Sequence, residues 1–332
     1  MKIRKFNWTS EKILILLIVL LCAVISAINP TFFTLGNFCD MIRSSTVNGL
    51  YAVGVMLVLI SGGIDISFPS IAAFSMYATV KIFRAVGYSG NFILPLLVSA
   101  IFGLIMGYFN AFLIYKFKLP TLIATLGTSN FFNGILLTFL GSAQINTLPK
   151  GYSRFAKTLI LRVPSDYGVS SIPVAFLIWI GAALVVWYIL KYTMLGRGVY
   201  ALGGNRVSAE RIGMNIGMIH WFIYGAAGAI AGMAGTINTA LKRTCNPFDA
   251  IGIELTIIAA VVLGGVKITG GKGSMMGTVL GVFMFNIINN SLIMVGVSTY
   301  WQRAVIGILI LVSTSITALQ DKRSASKLLQ RT

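Results

Sequence analysis

The sequence Ser61-Gly62-Gly63-Ile64-Asp65-Ile66-Ser67 decides the fold, because a similar stretch, Leu263-Gly264-Gly265-Val266-Lys267-Ile268-Thr269, begins 202 residues later. Each stretch ends one apolar segment, turns on two glycines, carries one charged residue and begins another apolar segment. Repeated halves are a common plan in membrane transporters. The pattern therefore predicts a membrane protein built from two related halves.

The composition is that of a chain that crosses a membrane many times. The 332 residues are 57% hydrophobic and 10% charged, whereas soluble domains are about 25% charged. Apolar runs of about 20 residues, the length needed to cross a bilayer, recur along the chain. The polar faces that a soluble helical protein needs between such runs are missing. The sequence therefore predicts an all-α polytopic membrane protein.

Ten membrane spans are predicted, near residues 13–29, 49–62, 66–83, 92–115, 120–140, 173–190, 219–241, 252–266, 275–295 and 300–319. Residues 36–48 read as a mixed, interfacial stretch, and 49–62 is short enough to indicate a broken or tilted span. An even number of spans places both termini on one side. With the termini in the cytoplasm, 16 of the 26 lysines and arginines lie there, as the positive-inside rule favours. Both double-glycine turns then face the cytoplasm, so the halves repeat in parallel.

A single transmembrane domain is predicted over residues 1–332. Its segments are a cytoplasmic N-terminus (1–12), a first half (13–140), an outer loop (141–172), a second half (173–319) and a cytoplasmic tail (320–332). The second half contains the longest cytoplasmic loop, 191–218.

No catalytic or metal-binding pattern is found in the sequence. The single histidine is His220, and the eight acidic residues are scattered, so no metal cluster or carboxylate pair is predicted. Gly270-Gly271-Lys272-Gly273-Ser274 lacks the spacing of a phosphate-binding loop, because Val266 and Gly273 stand where that motif needs glycine and a hydroxyl residue. We therefore expect a chain that is not an enzyme and binds no cofactor itself.

The distribution of charge indicates which partners and which kind of transport to expect. The positive residues lie at the ends of apolar spans rather than on one face, so nucleic acid is not an expected partner, whereas membrane lipid is. Ionisable residues are nearly absent from the spans, which argues against an ion-coupled carrier, although sodium sites can be built from carbonyls and hydroxyls. An ion-coupled secondary transporter remains the less favoured alternative.

Neutral amides are the main polar groups inside the predicted spans. Their donors and acceptors suit a neutral, hydroxyl-rich solute, but amides also join helices through interhelical hydrogen bonds. Both interpretations stay open for the candidate pathway residues Asn110, Asn130, Asn133, Asn286, Asn289 and Asn290.

The longest cytoplasmic loop is predicted to contain a short helix over residues 206–214. Asn205 is a suitable N-cap, and Gly213 or Gly217 would end the helix. A short amphipathic helix without catalytic residues is typical of a docking element for a soluble partner. An ordinary linker is the alternative.

Several motifs together resemble the ribose-type permeases of bacterial ABC importers, over about residues 40–320. They are Gly62-Gly63-Ile64-Asp65-Ile66-Ser67, then Ala201-Leu202-Gly203-Gly204-Asn205 with Ala209 and Gly213, and finally Glu254, Ala259 to Gly265 and Gly270 to Gly273. Pro69 departs from the glycine that relatives usually have after the first turn. The first motif is also similar to autoinducer-2 permeases, so simple sugar and autoinducer 2 both stay open as solutes.

The resemblance implies a ten-helix, multi-pass permease subunit in the bacterial inner membrane that pairs with a second permease subunit, identical or different. It implies two cytoplasmic ATPase subunits that use ATP and Mg, and an extracytoplasmic sugar-binding protein. It assigns ATPase coupling to the loop residues Gly203, Gly204, Asn205, Ser208, Ala209, Glu210, Arg211 and Gly213. It makes structural landmarks of the turn residues Gly62, Gly63, Asp65, Gly264, Gly265, Lys267, Gly270 and Gly271.

Overall fold

The computed structural model describes residues 10–165 and 168–294, together with positions 301, 304, 307, 308 and 311. Apart from those five positions, which are helical, the predicted span at 300–319 lies outside the described residues, as does the tail at 320–332. The helices of the described part are α1 (Ser10–Ile28), α2 (Leu35–Ile60), α3 (Phe68–Ala85), α4 (Ile93–Phe117), α5 (Thr121–Ile135), α6 (Lys150–Lys157), α7 (Ala175–Tyr192), α8 (Met194–Gly204), α9 (Arg206–Arg211), α10 (Ile216–Lys242), α11 (Glu254–Leu263) and α12 (Met275–Met294). A 3-10 turn (Pro30–Phe33) precedes α2, and a π-helical turn (Leu136–Leu140) continues α5.

The predicted polytopic, mainly helical membrane protein is confirmed. Within the described residues, six helices are long and apolar enough to cross a membrane, and two shorter apolar segments, Leu14–Ile28 and Glu254–Leu263, accompany them. The six are Leu35–Ile60, Ile93–Phe117, Thr121–Leu140, Ala175–Tyr192, Ile216–Lys242 and Met275–Leu292. The fold is not purely α-helical, because strands β1 (Leu159–Ser165) and β2 (Gly168–Pro173) pair as an antiparallel hairpin in the predicted outer loop.

Helix α2 corrects the prediction of a short span at 49–62 after an interfacial stretch at 36–48. It is one continuous helix of 26 residues, capped at its start by Thr34, whose hydroxyl accepts a hydrogen bond from the Asn37 backbone amide. The stretch read as interfacial because Asp40, Arg43 and Asn48 interrupt its apolar pattern. These polar side chains line a half-open cavity, so they are compatible with a full-length helix.

The centre of the bundle is a close contact between α4 and α10. The two helices are antiparallel and meet at small residues: a Cβ added to Gly103 would overlap the carbonyl oxygen of Gly228, and one added to Gly107 would overlap that of Tyr224. Ser99 also donates a hydrogen bond to the Gly232 carbonyl. Small residues let backbones approach in this way in membrane helix pairs. The glycines of α10 therefore serve to bring the two helix backbones together.

Burial separates the inner helices from the peripheral ones. In its apolar window α2 is 78% buried, whereas α7 is 22% buried and the α5 segment 28%. The outward faces of α4, α5 and α7 carry large apolar side chains such as Ile105, Ile123 and Leu184. Apolar side chains on an outer face suit contact with lipid, so α2 and α10 form the interior that positions the sites below.

Candidate functional site

The two double-glycine turns have the same backbone structure, displaced by one residue. At the end of α2, Gly63 N donates to Val58 O (3.1 Å) and Gly62 N to Leu59 O (2.9 Å). At the end of α11, Val266 N donates to Val261 O (3.4 Å) and Gly265 N to Val262 O (2.8 Å). Both are Schellman caps, whose left-handed residue favours glycine. That residue is the first glycine of one turn, Gly62 (φ 82°), and the second of the other, Gly265 (φ 88°).

The other glycine of each pair is required by packing. A Cβ on Gly63 would lie 2.8 Å from the Tyr224 hydroxyl oxygen, and one on Gly264 would overlap the Gly277 carbonyl oxygen. One glycine therefore satisfies the backbone angle and the other allows a close contact. The sequence pattern repeats because both requirements recur, although their order is reversed.

The first turn, the end of α8 and the loop before α12 meet at one point. We call this point the glycine junction, and it is formed by Gly62, Gly203, Gly270 and Gly271. The Gly271 amide donates a hydrogen bond to the Ile60 carbonyl at 2.8 Å. A Cβ on Gly203 would overlap that same carbonyl oxygen, and one on Gly270 would lie 2.7 Å from Gly62 Cα. Three segments that the sequence singled out separately are thus in backbone contact.

The second glycine segment is also fastened to α8 and α1. The Tyr200 hydroxyl of α8 donates to the Gly273 carbonyl at 2.9 Å. Ser274, which caps α12 by accepting from the Gly277 amide, donates its own hydroxyl to Glu11 of α1 at 2.5 Å. The start of α1 therefore lies beside the glycine junction.

Asp65 is buried, although the turn before it is predicted to face the cytoplasm. It is 3% exposed, and its Oδ1 accepts hydrogen bonds from the backbone amide and the hydroxyl of Ser67, both at 2.7 Å. The non-helical segment that carries it runs beside α5, where the Ile64 amide donates to Thr121 Oγ1 at 3.0 Å. The sequence after the first turn thus returns into the bundle before α3 begins, and buries the carboxylate among donors.

The loop predicted at residues 191–218 contains two short helices rather than one. Residues before Asn205 form α8, which Thr193 caps by accepting from the Gly196 amide at 3.1 Å. Asn205 is the N-cap of α9, as predicted, and accepts from the Ser208 amide at 3.0 Å. The helix ends before Gly213, which has a φ of 82°, whereas Gly217 lies inside α10.

The surface of α9 combines exposed apolar and charged side chains. Val207 is 55% exposed and Ile212 just after the helix is 70% exposed, while Ala209 is buried against the bundle. Arg206 and Glu210 form an ion pair at 3.0 Å on the solvent side. This face is built on two short capped helices rather than on an irregular linker.

The predicted pathway asparagines do not form one cluster. Asn110 is buried and donates to Ser67 Oγ at 2.8 Å. Asn286 donates to Ser45 Oγ at 2.9 Å and accepts from Asn48 at 3.1 Å. Both are therefore interhelical hydrogen-bonding residues.

The remaining four asparagines are less buried. Asn130 is exposed and bonds to the Leu126 carbonyl of its own helix at 3.1 Å, while Asn133, Asn289 and Asn290 are half-buried. On α5, the polar contact to another helix is made by Ser129, whose hydroxyl lies 2.7 Å from that of Ser70.

The sequence analysis missed a polar cavity of about 440 Å³ between α2, α10 and the segment before α11. Its lining comprises Asp40, Arg43, Ser44, Val47, Asn48, Tyr51, Asn238, Leu241, Lys242, Asp249, Ala250 and Ile253. The α2 members recur at spacings of three and four and so share one helix face. This polar face of α2 is the feature of the sequence that indicates the cavity, although the same residues also fit an interfacial segment.

Comparison with known proteins identifies the family. Residues 37–314 match the family described as "Branched-chain amino acid transport system / permease component". The chain is 31% identical to the ribose import permease protein RbsC of Escherichia coli K12, over 93% of this chain and 94% of that protein. It is 34% identical to RbsC of Haemophilus influenzae over 89% of each chain, and 28% identical to the autoinducer 2 import system permease protein LsrC of Yersinia pseudotuberculosis over 90% and 81%.

No solved structure matches the chain. The family match covers most of the sequence, and the ribose import permeases align over nearly their whole length. The resemblance carried by the glycine motifs is confirmed, and the chain belongs to the ribose-type permease family.

Proposed function

We propose that this chain is the transmembrane permease subunit of an ABC importer for a simple sugar: a pentose, a hexose or a related polyol-like solute. The observation that carries the proposal is the 31% identity to a ribose import permease over 93% of the chain. The family description mentions branched-chain amino acids, but relatives named for ribose, allose and galactose all align over at least 89% of this chain. Autoinducer 2 is the second candidate solute, supported by the LsrC relative.

The proposed topology is a single domain of ten spans in two parallel halves, with both termini in the cytoplasm. The positive-inside count favours it. The contact between Glu11 and Ser274 supports it, because it brings the start of α1 to the same end of the bundle as the glycine junction. That end also carries α9, the element proposed to face the cytoplasm.

The proposed coupling element is the segment from Gly203 to Gly213, which would contact the partner ATPase. An exposed helix with apolar side chains beside an ion pair suits docking into a groove of a soluble protein. The glycine junction supports the role, because it joins this segment directly to the ends of α2 and the loop before α12. A push on α9 would therefore reach two central helices through backbone contacts.

The proposed assembly contains this subunit, a second permease subunit, two ATPases and an extracytoplasmic binding protein in the bacterial inner membrane. ATP and Mg would be used by the ATPases, and the permease itself would bind no cofactor and catalyse no reaction. Solute would pass by alternating access, with Asn110, Asn130, Asn133, Asn286, Asn289 and Asn290 retained as candidate pathway residues. Because Asn110 and Asn286 bond to neighbouring helices, we assign these two a packing role as well.

Reconstitution tests the proposal. The complete importer in liposomes should accumulate D-ribose only with ATP inside and the binding protein outside. Uptake by the permease without its ATPase, driven by an ion gradient, would favour the ion-coupled alternative. Uptake of autoinducer 2 in place of ribose would reassign the solute but not the class.

Two variants test the coupling element. A Cβ at Gly204 meets no atom within 4 Å, so Gly204→Arg should fold normally while placing a long cation on the docking face. Glu210→Arg removes the exposed ion pair with Arg206. Both should uncouple ATP hydrolysis from uptake and leave membrane insertion intact. Normal uptake in both variants would exclude the docking role.

A further inference from the structure

The polar cavity has a charged rim and a neutral floor. On the rim, Asp40 accepts a hydrogen bond from Ser170 of the hairpin at 3.1 Å, and Lys242 pairs with Asp249 at 3.3 Å. Arg43 adds a second cation, so two carboxylates face two cations and the formal charges cancel. The lining therefore carries no excess charge that would favour a solute of one sign.

The floor carries an unused hydrogen-bonding group. Tyr51 lines the cavity and is 3% exposed, yet within the described part of the chain its hydroxyl has no hydrogen-bond partner. A buried hydroxyl without a partner is unfavourable. The Tyr51 oxygen is covered by neighbouring atoms, so a ligand hydroxyl in the cavity would become its partner once the wall beside Tyr51 moves aside.

Two half-buried amides accompany this hydroxyl. Asn48 and Asn238 line the cavity from facing helices, and Asn48 is held by its hydrogen bond to Asn286 at 3.1 Å. Amides offer both donors and acceptors, and so does each hydroxyl of a sugar, so the two can pair. The volume of about 440 Å³ lies within the range of about 300–1,000 Å³ typical of small-molecule sites.

The cavity also reaches the depth expected of a transport site. Along α2, Asp40 and Tyr51 are separated by about 16 Å and Asp40 and Ile60 by about 30 Å at the helical rise per residue. Tyr51 therefore lies near the middle of the helix, and transporter sites commonly lie near the bilayer midplane. The glycine junction is at the opposite end of the same helix.

We propose that this cavity is a binding site for a small neutral polyhydroxylated solute within the permease itself, and that Tyr51 and Asn238 contact and select that solute. The proposal rests on the proposed importer function and adds to it. The permease then contributes to specificity in addition to the binding protein.

Thermal unfolding of the purified permease–ATPase complex, without the binding protein, tests the proposal with D-ribose, D-allose and D-galactose as probes. A ligand that binds the folded state raises the unfolding temperature, and the stabilisation grows with ligand concentration L as RT ln(1 + L/Kd). At least one sugar should stabilise the wild-type complex. Tyr51→Phe and Asn238→Leu, which keep the side-chain volume, should each raise the half-saturating sugar concentration about five- to tenfold through loss of one hydrogen bond.

Tyr152→Phe is the matched control, because Tyr152 is fully buried but lies outside the cavity lining. It should bind sugar as the wild type does. Absence of stabilisation by all three sugars, or unchanged affinity in both cavity variants, would overturn the cavity site. The importer function is judged separately, by ATP-dependent uptake with the binding protein present, so the two proposals fail by different results.

Discussion

Two adjacent glycines of α8, Gly203 and Gly204, should respond differently to substitution by alanine, because only Gly203 is in close contact at the glycine junction. In Gly203→Ala the added methyl group would overlap the Ile60 carbonyl oxygen, which also accepts the Gly271 amide. Relieving that overlap moves α8 away from α2, at a cost of about 1–3 kcal/mol for overpacking, and weakens a hydrogen bond worth about 1 kcal/mol. The sum of about 2–4 kcal/mol corresponds to a change of about 30- to 900-fold in the equilibrium between packed and separated junction.

Gly204→Ala is the control, because the same methyl group one residue later meets open space. The unfolding temperature in detergent should fall in Gly203→Ala and stay near the wild-type value in Gly204→Ala. The number of sugars transported per ATP hydrolysed should also fall in Gly203→Ala. Equal unfolding temperatures of the two variants would contradict the close contact at Gly203.

The other predictions concern packing and capping. Gly107→Ala should destabilise the α4–α10 contact by about 1–3 kcal/mol, whereas Gly127→Ala, which meets no neighbouring atom, should not; thermal unfolding compares them. Asn286→Ala should cost about 1–3 kcal/mol, because it leaves buried polar groups of α2 unpaired, and a loss no greater than that of exposed Asn130→Ala would contradict this. Asn205→Ala should destabilise α9 by about 1 kcal/mol and lower coupled uptake. Asn205→Ser keeps a capping side chain, so it should retain the stability of α9 and the uptake. Similar losses in the two variants would argue against capping as the cause.

The class of fold was predictable because it depends on quantities that are summed along the chain. Hydropathy and length define helices such as α4 and α7 within a few residues of the predicted spans. Local chemistry was equally readable at the start of α9, where Asn205 caps the helix. These features need no knowledge of what packs against them.

The errors arise where a polar residue has a partner far away in sequence. The second span was predicted too short because Asp40, Arg43 and Asn48 are polar. In the structure these residues line a cavity between α2 and α10. Asp65 follows a turn predicted to face the cytoplasm, yet the chain returns into the bundle and Ser67 donates two hydrogen bonds to its carboxylate. A single sequence contains no record of these tertiary contacts, so it underestimates how much polarity a buried helix tolerates.

The position of α2 connects the two candidate sites physically. One end of this continuous helix contributes Asp40 to Tyr51 to the cavity, and the other end contributes Ile60 and Gly62 to the glycine junction. A helix without an internal break transmits a displacement along its axis, because sharp kinks require proline, glycine pairs or bulges. Gly49 and Gly54 are the glycines of its inner part, and both are packed, against Trp179 and Ala227. We therefore expect a displacement at the glycine junction to be transmitted along α2 toward Tyr51, since the packed glycines leave no free hinge between them.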